Sequence, residues 1–194
     1  MPFYQVTGNE YLSLPTIRED DASLEGLTLL HMGAKGLLEL TGGGRPLIRP
    51  LIRLDGVETA PQSLRWRREA MWIPTASGEA AGLSLSITYL CPIGERGFIL
   101  RLEAANHTPG DVEVWLGAAG QWRQTLHHVN ETLPLAGPRT QEGSPWNGAF
   151  VMQEMAGLPL CAFAPIAQEG VTWTWSAGAF EGGRGNRLAP GETA

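Results

Sequence analysis

Lysine is almost missing from this chain: of the 14 cationic residues among its 194, only Lys35 is a lysine. Arginine enrichment of that kind follows codon usage as readily as function, so no activity is read from it. Cysteine is scarce as well. Cys91 and Cys161 sit among apolar neighbours, which predicts two buried free thiols rather than a disulfide framework. The stretch Met1 to Leu12 lacks a basic segment followed by an apolar one, so no secretory signal is expected. No apolar run approaches the roughly 20 residues that span a bilayer. Positive charge is in deficit, with a net charge of -6 and a pI near 5.2. A phosphate backbone or an anionic membrane is therefore a poor main partner. The expectation is a cytoplasmic protein with no nucleic-acid and no membrane partner.

What is present is a globular, turn-dense composition: 43% hydrophobic and 18% charged residues, with 25 glycines and 14 prolines. A chain of this mass buries roughly 70% of its unfolded surface without any metal or disulfide staple. One domain over residues 1–194 is expected.

Hydrophobic periodicity is of the strand type. Leu83, Leu85, Ile87 and Tyr89 alternate with Ser84, Ser86 and Thr88, the pattern of a half-buried strand. Phe98, Leu100 and Leu102 alternate with Ile99, Arg101 and Glu103, and Val112, Val114 and Leu116 with Asp111, Glu113 and Trp115. The Pro-Gly loop Asn106 to Gly110 between these two segments predicts a hairpin. Further strands are expected over Leu47 to Leu54, Leu64 to Ile73, Trp122 to Val129, Phe150 to Met155, Leu158 to Ala164 and Val171 to Phe180. Turn signals stand at Asp55-Gly56, Ser77-Gly78, Gly137-Pro138 and Glu169-Gly170. Between Asp20 and Leu40, Gly26, Gly33 and Gly36 weaken a helical spacing of leucines, so short strands or one helical turn are expected, then a strand from Leu37 to Leu40. This is the signature of an all-β antiparallel sandwich. The ending Arg187 to Ala194 has the form of a turn at Pro190-Gly191 that leads into a strand at Thr193, and the expectation is that the sequence is the front part of a longer protein.

Reactive constellations are few. His127 and His128 are neighbours on a predicted strand, where successive side chains point to opposite faces, so they do not share a metal ion. The glycine clusters Gly42 to Pro46 and Gly182 to Asn186 lack the Gly-Lys-Ser/Thr ending of a phosphate loop and read as ordinary loops. No nucleophile elbow is present, and no cofactor or metal is implied. The seven tryptophans are rich for this length, and indole rings serve both as core filler and as stacking platforms for sugars. Trp173 and Trp175 share a face with Val171, Ala177 and Ala179 and read as core. Trp66 and Trp72 share a face interrupted by Arg68. Trp115 stands on the polar side of its strand, where a large ring is solvated unless something covers it.

The segments Leu83 to Pro92, Gly97 to Asn106, Val112 to Gly117 and Leu188 to Glu192 together resemble the N-terminal β-sandwich domain of bacterial glycoside hydrolases of the glycogen-debranching, amylo-α-1,6-glucosidase-like type. The resemblance implies a two-sheet antiparallel supersandwich, galactose-mutarotase-like, placed ahead of an (α/α)6 barrel that carries the catalytic acids. It further implies a noncatalytic accessory role. The partner would be the catalytic domain of the same parent chain, with an oligosaccharide or a second copy of the chain as further candidates. Interdomain or carbohydrate contact is then expected at Trp115, Arg101 and Trp122, since the predicted hairpin sets Arg101 beside Trp115 on its outer face. Two other readings stand beside this one. A carbohydrate-binding module needs an exposed aromatic platform, and a stand-alone aldose epimerase needs a histidine and a carboxylate in one cleft, for which His127 or His128 with Glu154 are the nearest candidates.

Overall fold

The computed structural model describes residues 3–31, 36–128, 132–134, 139–146, 148–155, 157–166, 170–176 and 179–194, with the backbone alone for 132–134, 139–146 and 154–155. Among the described residues there is no helix. The strands are, in chain order, β1 (Tyr4–Gly8), β2 (Leu12–Arg18), β3 (Gly26–His31), β4 (Gly36–Thr41), β5 (Ile48–Leu54), β6 (Val57–Glu58), β7 (Gln62–Glu69), β8 (Ile73–Ala80), β9 (Leu83–Leu90), β10 (Ile99–Asn106), β11 (Val112–Gln121), β12 (Gln124–His128), β13 (Thr132–Pro134), β14 (Arg139–Trp146), β15 (Ala149–Met155), β16 (Cys161–Phe163), β17 (Thr172–Ser176) and β18 (Ala179–Leu188). Every pairing between them is antiparallel. The protein is an all-β sandwich.

Hydrogen bonding divides it into four sheets, ordered β1-β2-β3-β4-β12-β13, β10-β9-β8-β7, β17-β18-β11-β5-β6 and β14-β15-β16. A bridge between Leu24 and Ile48 joins the six-stranded sheet to the five-stranded one. The alternation of β9 explains how the layers meet. Leu83, Leu85, Ile87 and Tyr89 are each 3% exposed or less. Leu83 and Leu85 enter one core with Ile52, Leu54, Val114 and Leu188 of the five-stranded sheet. Ile87 and Tyr89 enter a second core with Leu14, Leu38 and Leu40 of the six-stranded sheet. Each such side chain contributes about 1.5–3 kcal/mol by leaving water, so one strand of four alternate apolar residues fastens two sheets. The serines and threonines between them face outward, and the Thr75 and Thr88 hydroxyls meet at 3.1 Å on that side.

Six expectations are corrected by the topology. First, β10 and β11 are not a hairpin. β10 pairs along its length with β9, whereas β11 lies between β18 and β5. The loop after Asn106 therefore carries the chain from one sheet to another, an arch that alternation alone cannot distinguish from a hairpin. Second, Gly182 to Asn186 is no loop but the middle of β18, paired to β11 throughout. Third, Ser77-Gly78 lies inside β8, and the turn comes at Ala81-Gly82, both with positive φ. Fourth, the expected strand Leu64 to Ile73 breaks at residues 70–72, where Ala70 and Met71 take left-handed backbone without the glycine or asparagine that marks such turns. The expected strand Val171 to Phe180 likewise divides into β17 and the start of β18, while Leu158 to Ala164 shortens to β16. Asp55-Gly56 is a turn as expected, with φ of 49° and 80°, and joins β5 to β6. The Gly137-Pro138 and Glu169-Gly170 signals fall wholly or partly outside the described residues.

The chain end closes the same layer contact. Beyond the turn at Pro190-Gly191, Thr193 bridges Ala105, and Ala194 and Ala104 exchange two backbone hydrogen bonds of 2.9 Å. Asn106 is the hub of this junction. Its Nδ2 donates to the Gly110 and Leu188 carbonyls at 2.8 and 3.0 Å. Its Oδ1 accepts from the Thr108 amide and hydroxyl, and its own carbonyl accepts from Gly191.

Candidate functional site

Trp115 and Arg101, expected side by side, are on different sheets. Arg101 stands opposite Thr88 and its guanidinium donates to Glu103 at 2.5 Å. Trp115 stands between Arg53 and Gly185 in register. Its ring lies flat over Gly117 and Gly183, close enough that a Cβ at either would come within 2.4 Å of it. The Arg53 guanidinium covers the other side at 4.7 Å from the ring centroid, held in place by Glu181 at 2.7 Å; that bond raises the Arg53 pKa above its already high ordinary value. Trp115 is thus sandwiched by its own sheet, on the face that carries the buried Leu51. The arrangement is a cap on a stretch of bare backbone, and it gives the ring a cover from its own chain. Trp115→Ala is therefore expected to destabilise this chain by about 2 kcal/mol in urea or thermal unfolding. A loss under about 0.5 kcal/mol would return the ring to the status of an uncovered surface.

Trp122, the third residue expected at a contact, is packed inside this chain. It is 1% exposed, and its Nε1 donates to the Thr125 hydroxyl at 2.9 Å, so the indole has both apolar packing and a satisfied donor inside the core.

The histidine pair divides as alternation predicts. His127 pairs in register with the buried Leu38 and His128 with the exposed Leu37. His128 Nε2 meets Glu39 Oε2 at 2.8 Å. His127 Nε2 is buried without a hydrogen-bond partner among the described residues and lies 2.8 Å from where a Cβ on Gly36 would stand. That nitrogen is closed against the sheet and does not open to a cleft. The Glu154 side chain lies outside the described residues. Among the described residues no group of three or more His, Cys, Asp or Glu side chains is placed to hold a metal. Cys91 and Cys161 are free thiols, and burial pushes both pKa values up to about 11. They stay protonated at neutral pH and lack the thiolate that nucleophilic chemistry needs.

The feature with an open side is aromatic. Phe150 of β15, Phe163 of β16, Trp173 and Trp175 of β17 and Phe180 of β18 form one cluster, with Phe163 and Phe180 centroids 4.4 Å apart and Phe150 and Trp173 centroids 5.6 Å apart. The two tryptophans, expected together in the core, differ. Trp173 covers Gly182, whose Cβ would fall 2.1 Å from the ring, while Trp175 is 48% exposed. The reason is the cross-strand partner: Trp173 stands opposite Gly182, over whose bare backbone its ring lies, whereas Trp175 stands opposite the bulky Phe180. Beside Trp175 opens a cleft of about 380 Å³, lined also by Arg45, Arg49, Thr174, Ser176 and Glu181. Arg49 is paired with Glu58 at 2.6 Å, and this bond holds the Glu58 carboxyl below its ordinary pKa. Sequence reading missed Arg45, Arg49 and Glu181 because they come from two distant segments that only the sheet order β18-β11-β5 brings together. The Trp-x-Trp repeat was the one local signal.

No helix among the described residues is long and apolar enough to cross a membrane. Compared with models of known protein families and with the sequences of curated proteins, the chain matches none.

Proposed function

We propose that this chain is a noncatalytic accessory β-sandwich in carbohydrate metabolism, a domain that packs beside the catalytic barrel of a glycoside hydrolase and does not itself break bonds. The observation that carries the reading is the convergence of its motif segments. The four stretches that resemble the glycoside hydrolase domain are dispersed from Leu83 to Glu192, yet β9, β10, Leu188 and the Pro190-Gly191 turn meet at one buried residue, Asn106, and Val112 at the start of β11 pairs with that same Leu188. They behave as parts of one structural unit, as a shared domain pattern requires. An apolar docking row for the partner domain is supplied by Leu30 and Leu37, which stand directly opposite each other on β3 and β4 and are 51% and 47% exposed.

The test is enzymatic. The purified chain is expected to release no nitrophenol from aryl α- or β-glucosides and to leave glucose mutarotation at its spontaneous rate. Hydrolysis that disappears on substituting one carboxylate of this chain would overturn the proposal. Mutarotation dependent on His127 or His128 would instead establish the epimerase reading.

A further inference from the structure

We infer that the cleft beside Trp175 is a binding site for a linear neutral oligosaccharide, with one sugar ring seated on the indole. The platform is rigid. Phe150 backs the Trp175 ring at 6.0 Å between centroids, inclined by 44°, so one side of the indole is fixed while nearly half of the residue's surface stays open. A pyranose presents an apolar C–H face and a rim of hydroxyls, and an indole with hydrogen-bonding groups at its border matches both. Here the hydrogen-bonding groups line the same cleft from the opposite face of the sheet. Thr174 and Ser176 flank Trp175 on β17, Glu181 lies across from Thr174 in register, and Arg45 and Arg49 close the cleft from the side of β5.

Charge selects a neutral ligand. Arg49 is balanced by Glu58 and the neighbouring Arg53 by Glu181, and of the two arginines that line the cleft Arg45 makes no ion pair among the described residues. One surplus cation is far from the cluster that a phosphate or an acidic peptide uses. Geometry selects a chain over a single sugar. By strand alternation Trp175 stands on one face of the sheet and Thr174, Ser176 and Glu181 on the other, so the cleft wraps the sheet end. A hexose on the indole reaches only one side, whereas a ligand of several units follows the wall round. The volume, about 380 Å³, is at the lower end of the range for small-molecule sites.

This inference goes beyond the accessory-domain reading and does not depend on it. The experiment is a titration of the chain with maltotetraose, cellotetraose and glucose, followed by calorimetry and by the indole signals in proton–nitrogen correlation spectra. At least one tetrasaccharide is expected to bind about tenfold or more tightly than glucose. Trp175→Ala is expected to weaken it about tenfold or more, the loss of one stacked ring, and Trp175→Phe to retain part of the affinity. Arg45→Ala, in an exposed loop, is expected to weaken it about threefold while leaving the circular dichroism unchanged. The inference is overturned if neither tetrasaccharide binds at millimolar concentration, or if a folded Trp175→Ala protein binds as the parent does. Should Trp175→Ala not fold, the Arg45→Ala result decides: unchanged affinity overturns the site. Aryl-glucoside turnover would count against the accessory role and leave this binding result standing, so the two failures are separable.

Discussion

Asn106→Asp is expected to destabilise the protein by about 3–5 kcal/mol, enough to unfold a typical domain or bring it close to unfolding. Asn106 is 0% exposed. Its amide nitrogen donates to two carbonyls, those of Gly110 and Leu188. Aspartate places an oxygen where that donor was, so two buried carbonyls lose their partner and face a carboxylate. The sign of the pH dependence follows. Burial against carbonyls raises the pKa of the new carboxyl in the folded state above its unfolded value. The penalty is then complete above the folded pKa and fades as pH falls toward the unfolded value near 4. Urea unfolding at pH 7 and pH 4 should show the gap from the parent protein narrowing in acid. A gap that stays constant, or widens in acid, would mean that Asn106 is not the buried hub.

A second large effect is expected at the glycine floor of β18. Gly182→Ala should destabilise the fold by about 2–4 kcal/mol, because its Cβ would lie 2.1 Å from two atoms of the Trp173 ring, and the three nearest obstacles all belong to that ring. Since the clash has one source, it should be relieved by removing that source. In the double variant Gly182→Ala with Trp173→Ala, the two losses should fall short of their sum by at least about 1 kcal/mol. Full additivity in a double-mutant cycle would show that Gly182 is needed for its backbone freedom rather than for the space above it. Gly183 offers a contrast, because a Cβ there meets the Leu116 carbonyl oxygen at 2.5 Å as well as Trp115. Removing Trp115 should leave most of the Gly183→Ala loss in place.

These glycines show why part of the architecture was not legible in advance. A run such as Gly182-Gly-Arg-Gly-Asn186 has low strand propensity and reads as a loop. It is a strand because Trp173 on the neighbouring strand and Trp115, distant in sequence, lay their rings on the bare backbone and supply the packing that the missing side chains do not. Likewise the tip at Ala70 and Met71 bends without a turn residue, so nothing local announced it. The cleft at Trp175 was half legible. The Trp-x-Trp spacing placed two indoles on one face, yet their different burial depends on the register that sets Gly182 opposite one and Phe180 opposite the other.

The amino-acid sequence by itself determined that this protein is built of antiparallel strands and that β9, β5, β12 and the middle of β15 occupy the stretches they do. Period-two alternation is a local consequence of burying one face of a strand, and it needs no knowledge of the partner. It also determined that the two cysteines stay apart as thiols. Only the tertiary structure decided that β10 and β11 part company, that Arg53 and not Arg101 covers Trp115, that Trp122 is core, and that Trp175 borders a cleft. Each of these depends on strand order. Order is set by long-range fit between whole faces, such as rings over glycines and Asn106 between two loops, and alternate patterns along a single strand carry no record of it.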